Sequence, residues 1–482
     1  MAASEVAVVK NADDQRQQQE PMIINDEDCS GDGWMHQGGS DGRFTLKAYK
    51  RRWLMMALFV LYSTTINGQW VQYSIISNIV TRYYNVSSFA VDCSAMSYMF
   101  YYVPFVFPAS WLSERFGVRK TLILGSVLSC SGAWIKSYAT TPRSFHVALV
   151  GQSVVATTQA LMLPIPGRLA AKWFGSHELS TATSIGVFGT QLGIAVSFLL
   201  PPMMVGNHED PRKIGRDLAN LSHAAAIAAS LTLLAVVLLF QEEPELPPSE
   251  TRAFQKAKEE GKVSAGGGSK EGFLQPIGRL LGDHRSFFIL CHSYGLSIGV
   301  LNAVATLLNQ MFLARFENGE EDAGRIGLLM IVAGMVGSVL FGAVLDKTHK
   351  FKETTVTVYF STLCGQILFA AAMILRMKRM VYVAATFLGF FMSGYLALGY
   401  EMAAEYTYPE SESNTAGILN VANNVYGIVL VVTLSRLMEA YGDAPAHAGL
   451  CFVLLVGLVL TVATKDEQRR QDARRTMAAD CR

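Results

Sequence analysis

The first long apolar run of the chain, residues 53–84, carries polar and aromatic side chains in its middle. Gln69, Trp70 and Tyr73 are spaced so that a helix would bring them to roughly one face. Polar groups at membrane depth cost free energy unless they face other helices or a water-filled cavity. The spacing therefore predicts a face that lines a solute path. The alternative is that these side chains join helix to helix.

The composition indicates that this run belongs to an integral membrane protein. Of the 482 residues, 51% are hydrophobic and 16% are charged, and the mean hydropathy is +0.27. Average proteins carry about 25% charged residues. The net charge of +1 gives no indication of a nucleic-acid partner. We expect the partner of these apolar surfaces to be the lipid bilayer. No nucleophile, metal or nucleotide motif suggests an enzyme.

Apolar runs long enough to cross a bilayer recur about twelve times. Six lie in residues 49–240 and six in residues 286–464, separated by a hydrophilic linker at residues 241–285. Residues 1–48 form a polar tail predicted to be disordered, and residues 465–482 form a basic tail. Basic residues before the first run and after the last place both termini in the cytoplasm by the positive-inside rule. The predicted fold is all-α, with two six-helix halves.

The boundaries of the twelve predicted spans follow the apolar runs. The spans cover about 53–84, 89–112, 121–138, 145–169, 179–202, 224–240, 286–314, 324–345, 355–375, 380–402, 415–440 and 446–464. N-glycosylation sequons at Asn85 and Asn220 fall in loops that this topology places outside.

A charged motif recurs after the second span of each half. In the first half Glu114 is followed by Arg115 and further bases, and in the second half Asp346 is followed by Lys347 and further bases. An acid there can pair with bases beyond it and with a neighbouring helix N-terminus, and so hold one face of the bundle closed. The repeated offset favours a gate. The alternative is flanking charge that only sets topology.

With these features the sequence resembles the major facilitator superfamily, whose members carry such an acidic–basic loop in both halves. More narrowly it resembles the feline leukemia virus subgroup C receptor family of solute carriers. The matching segments are YKRRW and ALFVLYS within 49–63, QWVQYSIISNI at 69–79, SSFAVD at 87–92, GAWIKS at 132–137, WFGS at 173–176, STATSIGVFGTQLGIA at 180–195 and TYPESES at 407–413. The resemblance covers nearly all of residues 49–464.

The resemblance implies facilitated transport of choline and ethanolamine across the plasma membrane, by alternating access about a central cavity. It also implies a second possible cargo, haem, which would be cargo and not a resident cofactor. We expect no cofactor, and we expect the chain to act as a monomer. A receptor or scaffold is a third hypothesis, although the sequence shows no soluble domain to support it.

The family's choline site is an aromatic pair flanked by glutamines, and the resemblance carries it over to four positions. Trp70 matches the aromatic of the first span, whose ring would hold a quaternary ammonium by cation–π attraction worth about 2 kcal/mol. Gln191 matches the glutamine of the fifth span. Asn302 occupies the tyrosine position of the seventh span, and Asn424 the glutamine position of the eleventh. The second aromatic is therefore absent from its expected place.

Other residues complete the list of candidates. Tyr294 or Tyr426 could replace the missing aromatic from another turn. Haem binding usually needs an axial His, Cys, Met or Tyr, and His292 is the imidazole that falls within a span.

Besides Glu114 and Asp346, three further acids are candidates for gating. Asp92, near the outer start of the second span, is either a gating or ion-coupling acid or a first-turn carboxylate on the helix dipole. Glu401 and Glu405 end the tenth span, where the resemblance favours a cytoplasmic gate and the alternative is exposed end-of-helix charge. Arg168 is predicted to pair with such an acid. With no acid placed convincingly at mid-membrane in the first half, facilitated diffusion fits better than proton-coupled pumping.

Overall fold

The computed structural model describes residues 49–139, 141–162, 164–175, 178–248, 285–348, 350–408 and 412–464, with the single residues Arg252 and Arg469. The predicted disordered tail at residues 1–48, most of the linker at residues 241–285 and nearly all of the basic tail at residues 465–482 lie outside these ranges.

The described residues fold into fourteen α-helices and one short 3-10 helix, and every predicted span has a helical counterpart. The α-helices are α1 Arg51–Asn67, α2 Ser77–Tyr84, α3 Ser88–Phe116, α4 Val118–Ser137, α5 Phe145–Met162, α6 Ile165–Trp173, α7 Leu179–Met204, α8 Pro211–Leu239, α9 Arg285–Leu313, α10 Glu320–Thr348, α11 Phe351–Ile374, α12 Lys378–Thr407, α13 Glu412–Tyr441 and α14 Asp443–Ala463.

Nine of the described helices, α5 and α7–α14, are long and apolar enough to cross a membrane. The other three predicted spans correspond to α1 with α2, to α3, and to α4. Many apolar side chains on outward helix faces are exposed, among them Leu238, Val339 and Phe452. Such surfaces are stable in a bilayer, where lipid tails are as apolar as the side chains. The all-α membrane fold predicted from the sequence is confirmed.

We call α1–α8 the first half and α9–α14 the second half. Within the first half α1 packs against α7, and α4 against α5; within the second half α10 packs against α12, and α9 against α13. The most extensive contacts between the halves are those of α3 with α13 and of α7 with α10. The space between the halves is where the predicted solute path would lie.

The first span is interrupted, and the prediction of one continuous helix is wrong. Helix α1 ends at Asn67, a 3-10 turn takes Ser74–Ile76, and α2 begins at Ser77. Gly68 follows α1 where α7 passes close by: a methyl group at Gly68 would lie 3.6 Å from a side-chain carbon of Val196. An irregular turn beside α7 thus takes the place of the regular helix at mid-span.

The interruption frees backbone carbonyls that a bilayer cannot hydrate. The Nε2 atom of Gln152, on α5, donates hydrogen bonds to the carbonyl oxygens of Gln69 (2.7 Å) and Trp70 (3.2 Å). The irregular segment is thereby held in place by a buried side chain of another helix.

Two further boundaries differ from the predicted ones. The fourth span is divided between α5 and α6 next to Pro164, which cannot donate a helical hydrogen bond. The sixth span begins at Pro211, because Asp210 caps it by accepting a hydrogen bond from the Arg212 amide (2.9 Å). Asn220 therefore lies within α8 and not in a loop.

Candidate functional site

A cavity of about 780 Å³ lies between the two halves. The side chains that line it come from both halves, and several of them are amides and aromatics. They include Asn67, Trp70, Tyr98, Tyr102, Gln159 and Gln191 from the first half, and Asn302, Tyr400, Asn420, Asn423 and Asn424 from the second. The four residues predicted to bind solute all line this one cavity, and their role as ligands stays a prediction.

The lining continues to one end of the bundle. Glu114 and Arg168 from the first half and Glu401 from the second line the cavity there. This is the end that the sequence predicts to face the cytoplasm. The cavity is therefore open toward that end.

Trp70 lies in the irregular segment after α1 and contributes an aromatic wall. Its Nε1 donates to the carbonyl oxygen of Ala95 on α3 (3.3 Å), which fixes the ring orientation. Gln69 and Tyr73 are 2% exposed and do not line the cavity. The predicted three-residue face is thus wrong for two members, because the backbone between them does not follow helical spacing.

Gln191 reaches the cavity from α7, which lies very close to α1. A methyl group at Gly189 would lie 3.0 Å from the Cα of Val60, and one at Gly193 would lie 2.7 Å from the Cβ of Asn67. Glycine at both positions allows the two backbones to approach. This approach brings the wall of α7 next to the segment that carries Trp70.

Asparagine amides on α9 and α13 form the opposite wall. Nδ2 of Asn424 donates to the backbone carbonyl of Asn420 (2.7 Å). Asn420 also exchanges hydrogen bonds with the hydroxyl of Tyr400 (2.8 and 3.1 Å). Asn423 donates to Oδ1 of Asn420 (3.1 Å) and accepts weakly from Asn302 (3.5 Å). The sequence pointed to Asn302 and Asn424 but not to the network around them.

Neither tyrosine suggested as a replacement for the missing aromatic lines the cavity. Tyr294 is fully buried and packs against Tyr395 and Tyr400, with ring centroids 6.2 and 5.8 Å away. The hydroxyl of Tyr426 hydrogen-bonds to Nδ1 of His292 (2.8 Å). Trp70 therefore has no tyrosine partner from either position.

A buried carboxylate joins the halves far from the open end of the cavity. Asp92 on α3 is 0% exposed and accepts hydrogen bonds from Nε2 of Gln310 on α9 (2.6 Å) and Oγ of Ser435 on α13 (2.8 Å). Asp92 and Glu114 are on the same helix, roughly 30 Å apart at about 1.5 Å per residue. Asp92 thus contacts the second half and is more than a carboxylate on the helix dipole.

Glu320, at the start of α10, is a second acid that bridges the halves. Its Oε1 accepts hydrogen bonds from Nδ2 of Asn78 (2.7 Å) and of Asn207 (2.8 Å), both in the first half. Next to Ser435 in the chain, the guanidinium of Arg436 lies 5.1 Å from the ring of Phe89. Sequence reasoning missed Glu320, Gln310 and Ser435, because no local pattern marks partners more than a hundred residues away.

At the open end the predicted partner of Arg168 is wrong. Arg168 donates to Glu114 (2.7 Å), within the first half, and not to Glu401 or Glu405. Glu401 is exposed on the cavity wall. Glu405 is 1% exposed, so the alternative of an exposed end-of-helix charge is wrong for it.

The acid that caps a helix beside the first charged motif is Glu242 and not Glu114. Its carboxylate accepts from the backbone amides of Val118 (2.9 Å) and Arg119 (2.6 Å), at the start of α4, and from Nζ of Lys172 (2.5 Å). Gly117 before them has φ of 85°, which favours glycine. The expected contact between an acid and a helix N-terminus exists, but the acid comes from the segment after α8.

The neighbouring Glu243 extends this ion-pair network to Arg252. Its carboxylate lies 3.0 Å from Nζ of Lys172 and 2.7 Å from the guanidinium of Arg252. Burial acts to raise the pKa of Glu243, but hydrogen bonds and charge from Lys172 and Arg252 outweigh it, so the pKa lies below its ordinary value. This network ties α6 to the segment after α8.

The remaining predicted residues are exposed, or their side chains lie outside the part of the chain that the structure describes. The Arg115 guanidinium lies 5.3 Å from the ring of Trp111. Lys347 is exposed at the end of α10, and the side chain of Asp346 lies outside the described part of the chain. Asn85, with φ of 53°, and Asn220 are both exposed, and their glycosylation stays a prediction.

Comparison with known proteins gives a family and several relatives. A model of the Major Facilitator Superfamily matches residues 58–430. The choline/ethanolamine transporter flvcr2a of Danio rerio is 41% identical over 427 residues, which cover 89% of each chain. The choline/ethanolamine transporter FLVCR2 of Homo sapiens is 39% identical over 90% of this chain and 81% of its own. For the choline/ethanolamine transporter FLVCR1 of Felis catus, the identity is 38% over 88% of this chain and 74% of its own.

Solved structures show the same fold at low sequence identity. A D-xylose–proton symporter superposes with a TM-score of 0.65 at 13% identity, covering 87% of this chain and 98% of that one. The xylose transporter XylE from E. coli gives a TM-score of 0.66 at 11% identity, covering 87% of this chain and 99% of that one.

Proposed function

The chain belongs to the major facilitator superfamily, and within it to the feline leukemia virus subgroup C receptor family; from this premise we propose that it carries choline- and ethanolamine-type solutes across a membrane. Its relatives at about 40% identity are named choline/ethanolamine transporters. The observation that carries the proposal is the cavity between the halves, with the Trp70 ring on one wall and amides on the others. A small organic cation needs such a combination of an aromatic face and hydrogen-bonding groups.

Transport proceeds by rocking of the two halves about this cavity. The cavity is open at the end where Glu114 and Glu401 lie, while Asp92 and Glu320 bridge the halves elsewhere. We therefore assign this structure to an inward-open state, in which those bridges close the outer side. Opening to the outside must break the hydrogen bonds of Asp92 and Glu320 and bring the inner ends of the halves together.

The solute lowers the barrier between the two states by contacting both halves at once. Trp70 and Gln191 are on the first half, and Asn302 and Asn424 are on the second. A bound cation favours the occluded arrangement because only there are both sets of groups satisfied. The solute then moves down its own gradient.

A haem cargo has less support from the site. His292, the imidazole considered as an axial ligand, is engaged by the hydroxyl of Tyr426 (2.8 Å) and does not line the cavity. Haem therefore enters the transport assay below only as a competing cargo.

We also propose that the protein acts as a monomer in the plasma membrane with both termini in the cytoplasm. The basic residues at the start of the first span, including Lys50 and Arg51, support this orientation. Epitope tags at the two termini should be stained only after cells are permeabilised, and staining of intact cells would contradict the orientation.

The function is tested with the purified full chain in liposomes. Preloaded unlabelled choline or ethanolamine should drive accumulation of the labelled solute by exchange, without any ion gradient. Protein-free liposomes and a parallel haem arm are the controls. Failure of both solutes to exchange would overturn the proposal, and transport of haem alone would replace it.

A further inference from the structure

Two amides that line the cavity, those of Asn67 and Asn424, have their nitrogens engaged by the backbone and so leave their oxygens as the free polar atoms. Nδ2 of Asn424 donates to the backbone carbonyl of Asn420 (2.7 Å), and Nδ2 of Asn67 donates to the backbone carbonyl of Ser63 (2.9 Å). A backbone carbonyl can only accept, so the nitrogen of each amide must face it. Oδ1 of Asn67 and Oδ1 of Asn424 are thereby left as acceptors.

The same argument applies to a series of hydrogen bonds that runs from Asn420 through Asn423 to Asn302. Nδ2 of Asn420 donates to the backbone carbonyl of Ala416 (2.9 Å), which leaves its Oδ1 to accept from Asn423 (3.1 Å). Oδ1 of Asn423 then faces Nδ2 of Asn302 (3.5 Å, a weak contact). The free group of Asn302 is therefore also its oxygen.

Gln159, on α5, also lines the cavity, but its Oε1 is buried and is therefore not one of the oxygens that face the solute. The oxygens of Asn67 in the first half and of Asn302 and Asn424 in the second remain as hydrogen-bond acceptors on the cavity wall. An acceptor that loses water without gaining a donor is costly.

The two solute classes of the proposed function differ in what they offer these oxygens. A primary ammonium carries three N–H donors that must be paired when water is removed, and it forms charge-assisted hydrogen bonds to carbonyl oxygens. A trimethylammonium carries no N–H and binds best where several aromatic faces surround it. Tyr98, Tyr102 and Tyr400 also line the cavity, but the chain carries Asn302 at the position where the family resemblance expects the aromatic partner of Trp70.

We propose that this cavity selects a primary-ammonium alcohol of the ethanolamine type over the quaternary ammonium of choline. The inference rests on the proposed function and narrows its substrate class. Each N–H replaced by a methyl group leaves an amide oxygen unpaired and enlarges the head group. Three replacements should weaken apparent affinity by about tenfold or more.

The test uses the full chain in liposomes with labelled ethanolamine as the transported probe. Unlabelled ethanolamine, N-methylethanolamine, N,N-dimethylethanolamine and choline compete in turn. The expected result is a stepwise loss of inhibition along the series, with choline at least about tenfold weaker. Equal or stronger inhibition by choline, with ethanolamine still transported, would overturn this inference and leave the proposed function intact. Transport of neither solute would instead overturn the proposed function.

Two variants connect the preference to the amide oxygens. Asn424→Leu removes one acceptor and should raise the KM for ethanolamine several-fold more than the KM for choline. Val425→Leu, on the exposed face of the same helix, is the matched control and should change neither. Asn302→Tyr should move selectivity toward choline. Each readout is the ratio of the KM values for ethanolamine and choline, measured on one protein preparation. A change in protein yield therefore does not alter it. An unchanged ratio in both cavity variants would contradict the assignment.

Discussion

Nζ of Lys136 lies 2.8 Å from Oε1 of Gln152, and both side chains are buried within the first half. Because lysine can only donate, this contact turns the Nε2 of Gln152 toward the interrupted first span. There Nε2 holds the carbonyl oxygens of Gln69 and Trp70. Lys136 thus acts through Gln152 on the backbone that carries the cavity indole.

This relationship predicts that Gln152 positions Trp70. In Gln152→Glu an ionised carboxylate can still accept from Lys136 but cannot donate to the Trp70 carbonyl. Leaving buried carbonyls unpaired costs about 1–3 kcal/mol, and we expect the KM for solute to rise about tenfold or more.

Uptake kinetics normalised to surface protein measure this effect. Lys136→Arg keeps a buried donor and should retain more activity than Lys136→Met. A wild-type KM in Gln152→Glu would show that the irregular segment is held without this side chain.

Trp70→Ala should greatly reduce solute affinity while the protein still reaches the membrane. Loss of a desolvated cation–π contact of about 2 kcal/mol corresponds to a roughly 30-fold rise in KM. Trp134→Ala is the matched control: its indole also donates a hydrogen bond, to Ser230 (3.0 Å), but it does not line the cavity. Similar uptake by the two variants would disprove a binding role for the indole.

Asp92→Asn should weaken the outer closure. The neutral amide loses the charge-assisted bonds from Gln310 and Ser435. We expect a larger fraction of outward-open protein. A cysteine introduced at Asn302, in a background without other accessible thiols, should then react faster with an impermeant maleimide added outside.

The control for this shift is Asp217→Asn, which removes a carboxylate that pairs with His208 inside the first half (3.0 Å). The rate of maleimide labelling in this control should equal that of the protein that carries the introduced cysteine alone. If Asp92→Asn labels no faster than this control, Asp92 does not hold the outer side closed.

Gly193→Ala should destabilise the first half. A methyl group there would lie 2.7 Å from the Cβ of Asn67, well inside carbon–carbon contact distance of about 3.5–4.0 Å, and overpacking typically costs about 1–3 kcal/mol. Gly342→Ala is the control, because a methyl group at Gly342 meets nothing within 4 Å. Thermal melting followed by size exclusion should show a lower midpoint for the first variant alone. Equal midpoints would mean that α1 can shift away from α7.

The helices of this protein could be predicted from the sequence because the bilayer imposes a local rule. Every backbone polar group must be paired within its own segment, so each crossing is an apolar run of recognisable length. The rule located twelve spans and drew attention to Trp70, whose polar neighbourhood is unusual for such a run. It failed at residues 68–73, where the backbone leaves the helix and a side chain from α5 supplies the missing partner.

The tertiary structure alone decided which side chains meet. Asp92 is 218 residues from Gln310 and 343 from Ser435, and no local pattern encodes such pairs. The same holds for Glu242, whose contact with the start of α4 depends on how the segment after α8 returns to it. It also holds for the amides of the cavity, since their type is in the sequence but the direction of their oxygens is fixed only by the hydrogen bonds of the folded chain.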